Sequence, residues 1–224
     1  MAVIHRTTMS PGKLELLAGW LPRRPWYRGG PGTPQLAKAG GFRLDDPEGE
    51  VGIEFMVVTD TAGDDPVTYL VPLTYRGAPL EGADDGLIGT SEHGVLGRRW
   101  IYDGTHDVVL VEQLLALLAG RTTAQDQNAS GVPDPTVEVR TEGAGVPQGL
   151  TGPGTVTDTA GASLVTVGPT GQESPVATLT VSRVLHDGPA PTADGAPGRI
   201  LAGWSAPDGA RQHGPFAHLA AFTA

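Results

Sequence analysis

Glycine and proline interrupt this chain so often that short strands and turns are favoured over long helices. The sequence has 33 glycines and 20 prolines, nearly a quarter of its 224 residues, without the regular period of a collagen. Aromatic residues make up only 5%. A chain of this length can still bury a substantial core in one or two domains.

Charge and composition exclude several classes of protein. The formal net charge is -10 and the isoelectric point is near 4.9, which argues against a general nucleic-acid-binding protein because phosphate would be repelled. The absence of cysteine excludes disulfides, thiolate catalysis and cysteine-ligated zinc. No apolar run has the length of a membrane span or a signal-peptide core. We therefore expect a cytoplasmic protein without membrane contact.

Two segments have helical patterns. The first covers about residues 10–21, where Ser10 suits the N-cap position and apolar residues recur at helical spacing. The second runs from Asp107 to Ala119, with Asp107 as the N-cap and Gly120 at the end. Its apolar residues lie nearly all round the helix, so we expect it to be deeply packed.

Strand patterns fill most of the remaining chain, and a polar segment divides them. The predicted strands are residues 41–44, 50–59, 67–75, 137–141, 163–167, 177–185, 199–204 and 216–222, and residues 97–103 form a further strand or a turn. The fold class is therefore α+β, with antiparallel sheets and few helices. The dividing segment predicts two domains, 1–120 and 136–224, joined by a linker at 121–135. The two halves could pack as one body or move about this linker.

Arginines alternate with aromatic residues at two places, and both are candidate ligand sites. Guanidinium groups clamp oxyanions and aromatic rings stack on sugar faces, so the expected ligand is a sugar, a sugar phosphate or a nucleotide. Alternatively, the rings anchor a loop in the core while the arginines lie over them. The candidate ligand-binding residues are Arg23, Arg24, Trp26, Tyr27 and Arg28, with Arg98, Arg99 and Trp100 as a second cluster.

Residues with catalytic potential are sparse. Glu92 precedes His93, and His106 precedes Asp107, and each pair is the minimum for general acid–base chemistry. The alternative is a loop histidine or a helix cap. Phosphate-loop and nucleophile-elbow motifs are absent from the sequence. We therefore predict no catalytic residue, no metal ligand and no cofactor, and a hydrolase using such a pair is a minor alternative.

Two motifs in the first 120 residues resemble the N-terminal cap of actinobacterial maltokinases. The stretch GWLPRRPWYRGG matches the pattern W-L-P-x-x-x-W-Y, and YDGTHD matches Y-D-(A/G)-x-H-D before a leucine-rich helix. The resemblance implies a curved antiparallel sheet followed by that helix. The matching residues are Trp20, Leu21, Pro22, Trp26 and Tyr27, then Tyr102, Asp103, His106 and Asp107.

The second half resembles a truncated and degenerate kinase small lobe. Residues 178–191 and 199–222 are similar to strand segments that follow the cap in maltokinases. Thr180 falls where the family has its phosphate-pairing lysine, and the catalytic and metal-binding groups of a large lobe have no counterpart. Since phosphoryl transfer depends on those groups, the resemblance implies a protein that is not a kinase.

The leading functional hypothesis is a non-catalytic accessory protein that is linked to maltose, trehalose or glycogen metabolism. It would act through a protein partner or self-association, using an exposed apolar surface around Phe216, Leu219 and Phe222. The alternative is a protein that binds a small molecule, without phosphotransfer, in a groove between the two halves.

Overall fold

The computed structural model describes residues 8–30, 32–143, 145–171, 176–188 and 196–221. Within them the chain forms fourteen strands of one sheet and two α-helices, α1 (Lys13–Trp20) and α2 (Val108–Leu118). Single 3-10 turns lie at Leu21–Arg23, Asp84–Gly86 and Gly104–His106. The strands are β1 (Met9–Ser10), β2 (Leu36–Leu44), β3 (Gly52–Asp60), β4 (Val67–Arg76), β5 (Leu87–His93), β6 (Gly97–Asp103), β7 (Gln125–Asp126), β8 (Glu138–Thr141), β9 (Leu150–Thr151), β10 (Val156–Asp158), β11 (Ala162–Pro169), β12 (Ala177–Ser182), β13 (Gly198–Ser205) and β14 (Arg211–Ala221).

All strand pairs in the described residues are antiparallel. The strand order is β1-β5-β6-β4-β3-β2-β13-β14-β12-β11-β10, and β7, β8 and β9 pair with β2, β13 and β11. The antiparallel, β-rich architecture with few helices is confirmed. In these residues no helix combines the length and the apolar character needed to cross a membrane.

The two predicted helices are present, and the start of the first needs correction. The Asp107 side chain accepts a hydrogen bond from Val109 N at 3.0 Å and so caps α2, as predicted. The N-cap of α1 is Gly12, not Ser10, and its N–H donates to the Glu15 carboxylate. Ser10 belongs to β1 and pairs with β5. Local capping preferences favour Ser10 as the N-cap, but Ser10 is held in the sheet by its pairing with β5 and does not cap α1.

The sheet curls until β4 meets the chain that follows β12. Leu70 N donates to Arg183 O at 3.0 Å, and Leu185 N donates to Thr68 O at 2.9 Å. These bonds join β4 to the chain just after β12, so the path β4-β3-β2-β13-β14-β12 closes on itself. The closed sheet and α2 share the larger hydrophobic core.

This core contains residues from both predicted domains. Phe42 stacks on Phe55 at 4.5 Å between ring centroids and on Phe216 at 5.9 Å. The expectation of an exposed surface at Phe216 and Leu219 is corrected, because these residues are only 1% and 0% exposed. β14 pairs with β12 on one side and β13 on the other, so it lies inside the sheet, and alternate side chains along it point into the core. Phe222 lies outside the described residues.

The predicted linker is attached to the sheet. Within residues 121–135, the short strand β7 pairs with β2, and Asp134 N donates to Ala124 O at 2.9 Å. The β2–β13 contact, Gly40 opposite Trp204, also joins the two halves directly. One sheet and the larger hydrophobic core therefore extend across the predicted domain boundary.

A second, smaller hydrophobic cluster lies on the opposite face of the central strands. There α1 and the loop after it pack against alternate residues of β3 and β4. Each helix thus covers one face of the sheet. The main contributors are Leu17, Trp20, Leu21, Trp26, Met56, Val58, Tyr69, Val71, Leu73 and Ile101.

A fully buried arginine connects the two halves. Arg183 follows β12, and its Nη2 donates to Asp103 Oδ2 at 2.5 Å and to Thr105 Oγ1 at 2.9 Å. Its Nε donates to Ser163 Oγ at 2.7 Å. The guanidinium also lies 5.1 Å from the centre of the Trp26 ring. One side chain of the second half therefore contacts both motif segments of the first half, WLPRRPWY and YDGTHD.

Burial alone would raise the pKa of the Asp103 carboxyl. The Arg183 guanidinium outweighs burial and brings that pKa below its ordinary value of 3.8. Asp103 is therefore ionised at neutral pH, and each buried charge needs the other because an unpaired one would be strongly destabilising.

We predict that Arg183→Met lowers the free energy of unfolding by about 3–5 kcal/mol, because it leaves Asp103 buried without its cation. The double variant Arg183→Met/Asp103→Asn should recover part of this loss, since neither charge then remains. Urea unfolding measures both. The control is Arg211→Met, which removes an exposed arginine; equal stability of Arg183→Met and Arg211→Met would contradict this prediction.

Candidate functional site

The first arginine–aromatic cluster holds the loop after α1 on the sheet. Trp20 and Trp26 are buried with ring centroids 5.7 Å apart, and the Arg24 guanidinium lies 4.8 Å from the Trp20 ring. Trp26 is 0% exposed, so its role is packing and it offers no surface to a ligand. The arrangement agrees with the structural alternative, in which the rings anchor a loop.

Tyr27 extends this packing. Its OH donates to Asp60 Oδ2 at 2.8 Å, and its ring stacks on Tyr69. Burial and then the Asp60 carboxylate raise the pKa of Tyr27, so the phenol stays protonated. Arg23 and Arg28 are exposed, and a ligand-binding role for them stays a prediction.

The acid–imidazole pair after β6 has structural partners. Asp107 accepts two hydrogen bonds from Arg76, at 2.6 Å and 2.7 Å, besides capping α2. The His106 side chain lies against Gly86, where an added Cβ would come within 2.6 Å of it. The second pair also has structural partners. Glu92 accepts a hydrogen bond from Arg98 at 2.9 Å, and His93 Nδ1 accepts hydrogen bonds from backbone N–H groups of the β5–β6 turn. Both pairs therefore hold local structure.

A polar cavity lies beside α1, on the sheet face that carries the smaller hydrophobic cluster. Its volume is about 440 Å³, within the range typical of small-molecule sites. Its lining residues belong to the first half of the chain and to the segment after it, not to a groove between the two halves. Its charged and hydrogen-bonding lining residues are Lys13, Lys38, Arg43, Asp46, Glu50, Glu54, Tyr75, His93, Arg99 and Gln127.

Strand register brings these residues together. Arg43 of β2 stands opposite Glu54 of β3, and Tyr75 and Arg99 lie on the same face of β4 and β6 as Ile101. Gly41 makes room for the segment after β7, because a Cβ there would come within 2.7 Å of Gln127 Nε2 and within 1.9 Å of the Phe55 carbonyl oxygen. Its φ of +121° is also unfavourable for other residues.

Glu54 is the buried centre of the cavity wall. Its Oε2 accepts Lys13 Nζ at 2.5 Å and Tyr75 OH at 2.6 Å, and its Oε1 accepts Gln127 Nε2 at 3.2 Å. Burial alone would raise the pKa of Glu54, but Lys13, Tyr75 and Lys38 together bring it below 4.5. The carboxylate is therefore charged at neutral pH.

Two neighbours of Glu54 have perturbed pKa values in their turn. Burial lowers the pKa of Lys38, and the nearby Glu54 carboxylate partly opposes that shift. Burial and then Glu54 raise the pKa of Tyr75 well above 10.0, so its OH remains a donor.

Of the predicted ligand-binding residues, Arg99 lines this cavity. Arg98, the preceding residue, makes an exposed ion pair with Glu92, and Trp100 is half-buried and pairs with Thr90 and Arg76. Sequence reasoning missed Lys38, Arg43 and Glu54. Each of these residues is a charged side chain within a segment that otherwise has the apolar pattern of a strand, and this feature could have indicated them. In the described residues, no cluster of three or more histidines and carboxylates is arranged to hold a metal ion.

Comparison with protein families gives a match over part of the chain. Residues 20–107 match the model of the maltokinase N-terminal cap domain. The chain contains a maltokinase N-terminal cap-like domain. The match begins at Trp20 and ends at Asp107, so it includes both motifs and the strands β2 to β6. No curated protein matches the chain.

The cap-like domain contains most of the cavity. Lys38, Arg43, Glu54 and Arg99 lie inside the matched residues, whereas Lys13 precedes them.

We predict that stability falls as the pH is lowered below about 4.5, because Glu54 and Asp103 have lower pKa values in the folded than in the unfolded chain. Their contribution is present above the unfolded pKa and is lost as the pH falls through the folded one. Urea unfolding between pH 6 and pH 3 measures this slope.

Glu54→Gln should flatten the slope, and Glu92→Gln should not, because Glu92 is an exposed residue in a surface ion pair. An unchanged slope in Glu54→Gln would contradict the assignment of a depressed pKa to Glu54.

Proposed function

We propose that this chain is a non-catalytic accessory protein of the maltokinase-cap type, which acts by binding. The cap-domain match at residues 20–107 supports a link to maltose and trehalose metabolism. A link to glycogen metabolism and action through a protein partner or self-association are parts of the same proposal.

The non-catalytic role is supported by the structural contacts of the two carboxylates in the YDGTHD motif. Asp103 binds the fully buried Arg183, and Asp107 binds Arg76 while it caps α2. The Asp103 and Asp107 residues are 2% and 0% exposed. A carboxylate that is held by a guanidinium and closed off from solvent is poorly placed to exchange protons with a substrate.

The second half supports the same proposal. Thr180, at the position that the resemblance assigns to a phosphate-pairing lysine, lies in β12 between Leu164 and His218. Burial lowers the pKa of His218 below 6.5, so its imidazole is neutral at pH 7 and does not replace the lysine charge. We therefore treat this half as a degenerate small lobe.

The cavity beside α1 favours a second candidate function, the binding of a small molecule without phosphotransfer. Cationic, acidic and hydrogen-bonding side chains line a space of about 440 Å³ there. The predicted apolar docking residues Phe216 and Leu219, by contrast, are buried. This candidate places the ligand on the cap-like domain.

The test of the proposed function has two arms. The full chain is incubated with ATP, Mg²⁺ and maltose, and ³¹P NMR follows the sugar phosphate; we expect none above the level without protein. The tagged chain is also used to capture partners at moderate salt, and we expect an enzyme of α-glucan metabolism or a chain with a kinase large lobe.

Sugar phosphate that increases with protein concentration and is lost in His106→Ala would overturn the non-catalytic role. A strictly monomeric protein that captures nothing would overturn the accessory role and leave small-molecule binding as the function.

A further inference from the structure

Both lysines of the chain lie on the cavity beside α1. The sequence has 15 lysines and arginines together, but only two of them, Lys13 and Lys38, are lysines, and each lines this cavity. Lys13 is in the first turn of α1, and Lys38 is in β2, where it stands opposite Val58. Arginine stays protonated in proteins and lysine does not always do so. The side chains that can supply a neutral amine are therefore concentrated at one site.

The two amines differ in their partners. Lys13 Nζ donates to Glu54 Oε2 at 2.5 Å and lies 5.3 Å from the centre of the Tyr75 ring, so its ammonium group is held by the protein. Lys38 forms no hydrogen bond or ion pair with the residues that the structure describes, and it keeps an exposed surface. Lys38 is thus the amine that a molecule in the cavity can reach.

The surroundings of Lys38 favour the neutral amine. Partial burial lowers the pKa of Lys38, and the Lys13 ammonium adds to this shift. The Glu54 carboxylate on β3 and the Asp126 carboxylate on β7 oppose it. A lysine that is shielded from water and lies near a second cation is a stronger nucleophile at neutral pH than an ordinary exposed lysine.

The wall of the cavity suits a cationic product of that amine. Glu54 and Val58 are four residues apart on β3, so they share the face on which Lys38 stands. Glu54 is charged at neutral pH, and its carboxylate stabilises a protonated imine nitrogen as it stabilises an ammonium group. Because Tyr75 and Gln127 add polar groups beside Glu54, a ligand that carries hydroxyl groups fits this lining better than an apolar one.

We infer that Lys38 is a nucleophile that binds a small hydroxylated aldehyde or ketone covalently, as an imine, in the cavity beside α1. This inference rests on the second candidate function, and it names the reactive residue and the ligand class. The neutral Nζ attacks the carbonyl carbon and forms the C–N bond, while the carbonyl oxygen gains a proton and the nitrogen loses one. Loss of water from the resulting carbinolamine gives the imine. The step needs no oxidant or reductant, and hydrolysis reverses it.

Reductive trapping tests the inference. The full chain is incubated with glycolaldehyde and sodium cyanoborohydride, which reduces an imine to a stable secondary amine, and peptide mass spectrometry follows each lysine separately. The matched control is Arg121→Lys, which places an amine at an exposed position after α2, outside the cavity. At about pH 7.5 we expect modification of Lys38 to be at least about fivefold faster than that of Lys13 and of the amine introduced at position 121.

A second variant, Lys13→Gln, separates electrostatics from access. It removes the neighbouring ammonium and leaves the Glu54 carboxylate free to hold the Lys38 ammonium, so modification of Lys38 should slow about threefold or more. The shorter glutamine also opens the cavity, so an amine that depended on access alone would react faster. Circular dichroism checks that the variant is folded, and if it is not, the comparison with Arg121→Lys decides.

The inference is overturned if Lys38 reacts no faster than the amine introduced at position 121, or if a folded Lys13→Gln variant modifies Lys38 as fast as the wild type or faster. Calorimetric binding of glycolaldehyde that is unchanged in Lys38→Arg would also overturn it, and would retain small-molecule binding without the imine. These outcomes are independent of the phosphotransfer and capture experiments. Unselective labelling of a protein that still captures an enzyme of α-glucan metabolism would remove the nucleophile and retain the accessory role.

Discussion

Arg183 is a cation that the fold has removed from water, and the groups that pair with it come from both halves of the chain. Its partners Asp103 and Thr105 belong to the cap-like domain, and Ser163 belongs to β11. A buried ion pair contributes little net stability but is costly to break. The interaction therefore fixes how β12 meets β4, and the closure of the sheet places the Trp26 loop over the same guanidinium.

This closure explains the position of the cavity. The inner face of the central strands is covered by α2 together with strands of the second half, whereas the outer face depends on α1. That helix has 8 residues and is about 12 Å long, too short to cover the face completely. Beyond it the outward positions of β2, β3 and β6 carry Arg43, Glu54 and Arg99, and the uncovered area is polar.

Local patterns in the sequence were sufficient for much of the fold. The apolar helix at 107–119 and the strands around 50–59 and 67–75 correspond to α2, β3 and β4. These elements are buried on most of their surface, so nearly all their side chains are apolar and the pattern is easy to recognise in the sequence. β5 was missed, since its sequence LIGTSEH places one partly polar strand near the sheet edge. Burial of Phe216 depends on pairing of β14 with distant strands, and no local rule contains that information.

The candidate site was less accessible to sequence reasoning than the fold. Two of the predicted ligand residues have structural roles, because Trp26 is a packing residue and Arg98 forms a surface ion pair with Glu92. The residues that do meet at the cavity are far apart in sequence, from Lys13 to Gln127. Only strand register and the close approach at Gly41 bring them together.

The central claim is that the cap-like domain and the second half fold as one cooperative body. Hydrogen exchange at increasing urea concentration tests it most directly, comparing amides of β3 and β4 with amides of β11 and β12. The shared core and the Arg183 network predict that both sets lose protection together in one transition. Exchange of β11 and β12 at a urea concentration where β3 and β4 remain protected would contradict the account.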